Sequence, residues 1–151
     1  MGQTILLDSG VWAANFLEKD DFHTTADRII VRLIAAEATI LVPEIVQAEV
    51  LNVVLHRSLD KQKVAFVNNR FLALVPAITP RHGDVKFWNE FLPNQLSRLF
   101  LKTLDLLVAS YALYWNVDAF YSFDEKLNRA VRRIKPEIVK IKVRHGRAFE
   151  V

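Results

Sequence analysis

Four carboxylates stand in this sequence where they could act on one substrate: Asp8, Glu49, Asp105 and Asp124. Asp8 ends the apolar run Ile5-Leu6-Leu7, and Asp124 follows the run Ala119 to Phe123. Glu49 falls in the second turn of a helix that leaves a strand ending at Val42, and Asp105 in the first turn of a helix that leads back to Ala119. Acids gathered without matching bases repel one another by about 3 kcal/mol per pair at 5 Å and an effective dielectric of 20. A bound cation removes that cost. Ligation by oxygen alone suits Mg²⁺ or Mn²⁺, which also bind phosphate oxygens, and such a centre lowers the pKa of a bound water and supports in-line attack at phosphorus. The chemistry implied is phosphodiester hydrolysis.

Each acid also has a plain explanation. Asp8 suits the N-cap of the following helix. Asp105 is favoured by the helix dipole and has Lys102 three residues away. Ser122-Phe123-Asp124-Glu125 matches a capping box. Glu49 is the hardest to explain structurally. Its helical neighbours are Ile45, Val46, Asn52 and Val53, so no cation on its own helix compensates a charge on a half-apolar face. What the single explanations leave over is the convergence of all four on one edge.

That convergence depends on the elements. Three successive aliphatics before Asp8 suit a strand buried on both faces, and Thr39 to Val42, Val75 to Ile78 and Ala119 to Phe123 give further short strands. Between them, helices are expected near Val11 to Phe16, Thr24 to Glu37, Glu44 to Leu59 after Pro43, Asp60 to Leu74, Thr103 to Trp115 and Asp124 to Arg133. The third strand is expected to end before Pro80, and Arg81 to Phe100 reads as helical but broken at Pro93. A last, more polar strand, Ile138 to Val143, is expected at a sheet edge. Alternating helices and strands predict an α/β fold, a single-domain three-layer α/β/α sandwich over residues 1–151 with a mostly parallel central sheet. Right-handed crossovers keep the carboxyl ends of parallel strands on one edge, where open α/β proteins bind ligands. Asp118 precedes its strand and belongs on the opposite edge.

With 151 residues, 52% of them hydrophobic and 25% charged, the chain has the composition of an ordinary globular domain. It has no cysteine, which excludes disulfides and thiolate metal sites, and it carries neither a signal-like start nor a membrane-length apolar run; a cytoplasmic protein is expected. The net charge of +3 hides an asymmetry: from Lys126 onward nine basic residues face only Glu137 and Glu150, a local +7, so the remainder carries −4. Such an end suggests a polyanion or an acidic partner, with Arg129, Arg132 and Arg133 as candidate contacts. Trp12, near Asp8, is a candidate for stacking an RNA base, with core packing as the alternative.

Other chemistries find no support. The only glycines are Gly2, Gly10, Gly83 and Gly146, so no phosphate-cradling glycine loop exists. The four histidines, His23, His56, His82 and His145, lack ligand spacing, and there is no Gly-x-Ser-x-Gly elbow. The acid after Ile5-Leu6-Leu7 followed by Ser9, the mid-helix acid in Pro43-Glu-Ile-Val-Gln-Ala-Glu49, and Leu104-Asp105-Leu-Leu-Val-Ala-Ser110 followed by Tyr121-Ser-Phe-Asp124 resemble the PIN domain, particularly VapC-type toxins of bacterial toxin–antitoxin pairs. The resemblance spans nearly the whole chain. It implies a metal-dependent endoribonuclease using Mg²⁺ or Mn²⁺, with Asp8, Glu49, Asp105 and Asp124 as catalytic and metal-binding residues and with Ser122 and Ser9 in support. It further implies an RNA substrate, a homodimer and a small VapB-type antitoxin, with no membrane role. The alternative is a non-catalytic RNA- or partner-binding domain of the same fold, in which the acids are structural. The sequence does not identify which RNA is cut.

Overall fold

The structure, a computed structural model, describes residues 2–73, 78–81 and 83–151, without the side chains of residues 72 and 78–81. Four strands form its sheet: β1 (Thr4–Leu7), β2 (Thr39–Pro43), β3 (Ile78–Arg81) and β4 (Ala119–Tyr121). They lie in the order β3-β2-β1-β4, and all are parallel. In β1 the side chains of Ile5, Leu6 and Leu7 alternate in direction, yet all three are fully buried, so helices cover both faces of the sheet. This is the expected α/β sandwich, and its carboxyl edge carries Asp8 and Asp124. Asp118 lies at the opposite edge, where its carboxylate accepts the backbone N–H of Thr4 at 2.7 Å.

The helices are α1 (Ser9–Phe16), α2 (His23–Ala35), α3 (Glu44–Ser58), α4 (Lys61–Ala73), α5 (Leu92–Leu99), α6 (Thr103–Tyr114) and α7 (Glu125–Arg132). Pro43 closes β2 and immediately precedes α3, where its fixed φ and missing N–H cost nothing. Trp12 is fully buried, its ring 5.0 Å from Phe71 and 6.4 Å from Phe16. No base can stack there. The core alternative holds, because α1 turns this face against Phe71 of α4 rather than outward.

Two expectations about the chain's irregular parts are corrected. Pro80 lies inside β3, paired with Val42, rather than beyond its end; β3 is an edge strand, and only an edge tolerates a residue with no N–H to give. Val75 to Ala77, expected in this strand, together with Leu74 and His82, lie outside the described residues. Pro93 does not break its helix. A π-helical turn, Phe87–Phe91, precedes α5 and places Pro93 in the first turn of that helix, where no N–H is required. Phe87 anchors the turn by stacking on Tyr111 of α6 at 4.4 Å.

The C-terminal end departs furthest from expectation. Among the described residues, only Val139 of this end bridges to the sheet, in parallel with Phe120. The chain then forms β5 (Ile141–Arg144), which pairs antiparallel with a strand not foreseen, β6 (Arg147–Glu150). His145 and Gly146, with φ of 49° and 70°, make the two-residue turn between them, and two left-handed residues match the twist of a hairpin.

Candidate active site

Asp8 is the most constrained of the four acids. Directly after β1, its backbone N–H donates to the Tyr121 carbonyl, extending the β1–β4 pairing by one residue. Its Oδ1 accepts the N–H of Ser9 at 2.8 Å, capping α1, and its Oδ2 accepts the Ser122 hydroxyl at 2.8 Å. Both oxygens are therefore occupied, and the residue is 7% exposed. Burial pushes its carboxyl up from 3.8 to about 6, against the Ser122 and Ser9 hydrogen bonds, while the charges of Glu49 and Asp105 push it further up. Ser9 supports Asp8 through its backbone amide.

Asp105, half-buried in the first turn of α6, is also raised, first by burial and then by the charges of Asp124 and Glu49; Lys126 and Lys102 pull it back down. The charges of Glu49 and Asp105 bear on Asp8, and those of Asp124 and Glu49 bear on Asp105. Glu49 is half-buried on α3, and among the described residues no cation pairs with it. Arg28 and Arg98 are engaged elsewhere, Arg28 with Glu150 at 3.5 Å and Arg98 with Gln95 at 3.3 Å.

Asp124 is exposed and caps α7, its Oδ1 accepting the N–H groups of Lys126 and Leu127 at 2.8 and 3.0 Å. The capping box expected from Ser122 to Glu125 does not form. Ser122 is fully buried, with its hydroxyl given to Asp8 and accepting the Asp124 N–H at 3.0 Å, so it links two acids instead of capping a helix. Glu125 accepts the Val143 N–H at 3.0 Å. Asn128, buried in α7 and not singled out from sequence, donates to the carbonyls of Ser122 at 2.8 Å and Ile141 at 3.2 Å. The signal available for it is an amide between Leu127 and Val131, on the apolar side of a short helix.

Of the basic candidates, Arg132 is half-buried, bonded to Glu125 at 3.2 Å and to the Ile141 carbonyl at 3.2 Å. Arg129 is exposed and lies 3.9 Å from Glu125, and Arg133 is exposed. With Lys126 these three line an open groove of about 660 Å³ on α7. Their solvated, partly neutralised state fits a helix surface as well as a contact surface.

Among the described residues no three acids or histidines are already set as a cage for an ion. The donor chemistry nonetheless fits a hard divalent cation: four oxygen-bearing groups, two of them raised by burial and by neighbouring acids, with no cation paired to Glu49 among the described residues. Asp8, Glu49, Asp105 and Asp124 are the residues able to hold one.

No curated protein sequence matches the chain. Among solved structures it is similar to Mycobacterium tuberculosis VapC20, a sarcin-ricin loop cleaving toxin, at a TM-score of 0.66 and 17% identity over 83% of this chain and 94% of that one. It is also similar to VapBC2 from Rickettsia felis, solved bound to a fragment of promoter DNA, at a TM-score of 0.59 and 21% identity over 90% and 96%. The family model of the PIN domain matches residues 5–133, a span that begins in β1 and ends just after α7, and the chain belongs to the PIN domain family.

Proposed function

We propose that this protein is a divalent-metal-dependent endoribonuclease that hydrolyses RNA phosphodiesters, with Asp8, Glu49, Asp105 and Asp124 as its catalytic and metal-binding acids. The observation that carries this reading is Asp8, a buried carboxylate whose pKa is raised to about 6 beside three more acids. A fold does not keep such a group charged at neutral pH for stability, since burial and like charge both work against it.

A bound Mg²⁺ or Mn²⁺ would supply an acidified water and charge stabilisation at the phosphorus. The chain's own residues do the rest. Ser122 and the Ser9 amide fix both oxygens of Asp8, which orients the carboxylate and opposes the rise in its pKa. The α7 cap holds Asp124 through one oxygen, and its other oxygen takes no part in the cap. Lys102 and Lys126, the cations that pull Asp105 down, temper the repulsion that the acids present to an incoming phosphate.

The fold shared with VapC20 and VapBC2 supports a further step: that this chain is the toxin of a type II pair, acts as a homodimer, and is neutralised by a small VapB-type antitoxin. Cleavage of a structured RNA with Mg²⁺ or Mn²⁺, absent in EDTA, tests the enzymatic reading. Full activity in EDTA overturns it, and RNA binding with no cleavage under any divalent ion returns the chain to a non-catalytic binding domain.

A further inference from the structure

The C-terminal hairpin lies beyond the span matched by the PIN family model, which ends at residue 133. Its register divides it into two unlike faces. Residues directly opposite on antiparallel strands share a face, so Ile141, Val143, Ala148 and Glu150 form one and Lys142, Arg144, Arg147 and Phe149 the other. The first face is turned inward: Ile141 is fully buried, and Glu150 is paired with Arg28 and Arg32 of α2. The second is turned outward. Arg144 stands directly opposite Arg147, and Lys142 opposite Phe149, whose ring is 50% exposed. Like charges directly opposite destabilise a ladder, and among the described residues none of these three cations has an ion pair. Together with His145 and Val151 they line an open groove of about 640 Å³.

The position of this face matters as much as its composition. Val139 runs parallel to β4, and Ile141 stands level with Ser122, since one Asn128 amide bonds both carbonyls. From there β5 continues past the carboxyl edge of the sheet, and Val143 bonds Glu125 in the first turn of α7, one residue after Asp124. At about 3.3 Å per residue the turn at His145 reaches roughly 10 Å or more beyond Ser122. The basic face thus flanks the edge that carries the four acids.

Cations spaced along a strand with an aromatic ring among them are what a single-stranded nucleic acid requires: charge for the phosphates and a platform for a base. An acidic peptide would use the charge, but a π face among spaced cations suits a run of bases and phosphates better than a run of carboxylates. We infer that the outward face of the β5–β6 hairpin is an RNA-binding subsite, in which Lys142, Arg144 and Arg147 hold phosphates and Phe149 stacks a base of the strand flanking the acidic edge. The inference rests on the endoribonuclease reading for its substrate.

The test is anisotropy of a short, unstructured, labelled oligoribonucleotide titrated with the full chain in EDTA, so that binding is read apart from cleavage. Arg144→Gln with Arg147→Gln is expected to lower the salt slope of binding by about 1.4, two contacts at 0.7 each. Phe149→Ala is expected to weaken binding about 5- to 150-fold without changing that slope, and Phe149→Leu, which keeps the apolar bulk and loses the π face, to weaken it alike. All these side chains face outward, and melting temperatures no lower than that of the wild type establish that the variants fold. An unchanged slope, a Phe149→Leu variant that binds as wild type, or polyglutamate competing as well as oligouridylate overturns the subsite. Metal-dependent cleavage by a protein whose hairpin variants bind RNA normally removes this inference and keeps the nuclease; hairpin-dependent binding without cleavage does the reverse.

Discussion

Asp8 and Asp118 are both aspartates next to parallel strands, on opposite edges of one sheet. Asp118 precedes β4, is exposed, and satisfies the first N–H of β1. Asp8 follows β1, is buried, and has two hydrogen bonds that do not offset its loss of water and its acidic neighbours. Position relative to the strand and the packing around it make the difference: Asp118, before its strand, meets solvent and a loose backbone donor, whereas Asp8, after its strand, is enclosed by the start of α1 and by Ser122. One carboxylate serves the fold. The other is held against its own electrostatics, in keeping with the catalytic role proposed for it.

The sharpest way to break this contrast is activity. Asp8→Asn and Asp124→Asn are expected to abolish cleavage of RNA while Asp118→Asn leaves the rate unchanged, as measured on a labelled substrate with Mg²⁺; an inactive Asp118→Asn, or an active Asp8→Asn, erases the distinction. Ser122→Ala removes a hydrogen bond that orients Asp8 and is expected to lower the rate by about 10- to 100-fold.

Stability sharpens it in the opposite direction. Because the folded chain holds a proton on Asp8 up to about pH 6 and the unfolded chain only to about pH 4, folding takes up a proton between these values. The charged Asp8 therefore destabilises the metal-free fold above pH 6 by about 3 kcal/mol, the free energy of moving a carboxyl from 3.8 to about 6, and the cost disappears as the pH falls toward 4. Asp8→Asn should raise the melting temperature in EDTA at pH 7, with the gain fading by pH 4 and shrinking in a few mM Mg²⁺ as the wild type binds the ion. Ser122 then accepts from the new amide while its own buried hydroxyl proton loses the acceptor it has on Asp8, which offsets about 1 kcal/mol of the gain. A loss of stability at pH 7 would mean that Asp8 has a compensating partner. Asp118→Ala, by contrast, is expected to cost about 1 kcal/mol at neutral pH through the unpaired Thr4 N–H. The smallest effect belongs to Glu49→Gln. As one of the lesser influences on Asp8, it should lower the Asp8 titration midpoint only slightly, as followed by carboxyl NMR, and a collapse of that midpoint to 3.8 would make repulsion rather than burial the dominant cause.

How much of this can be read from the chain follows from which forces are local. Ile5-Leu6-Leu7-Asp8 and the run ending at Tyr121 state their burial and polarity in consecutive residues, so the sheet, its direction and the edge on which the acids gather are legible. Glu49 stands out in the sequence because its helical neighbours lack a cation, yet the most heavily perturbed acid is Asp8, whose burial is made by the start of α1 and the end of β4 rather than by neighbours in sequence. Ser122 matches a helix cap by spacing, but a buried carboxylate on another strand is a stronger acceptor for its hydroxyl than the helix is a use for it. The hairpin is hidden for a different reason. β5 alternates apolar and polar over only four residues, β6 does not alternate at all, and the His145-Gly146 turn that defines them resembles any polar break until both φ angles are known to be positive.

Asn128 carries a mechanical consequence. By donating to Ser122 and Ile141 at once, with Arg132 also on the Ile141 carbonyl, it welds the end of β4 to the root of β5. Force applied to the hairpin is then delivered to the residue that orients Asp8, as through a crank, rather than dissipated in the loop between them. A load on the outer face of the protein is felt at the centre of its acidic edge.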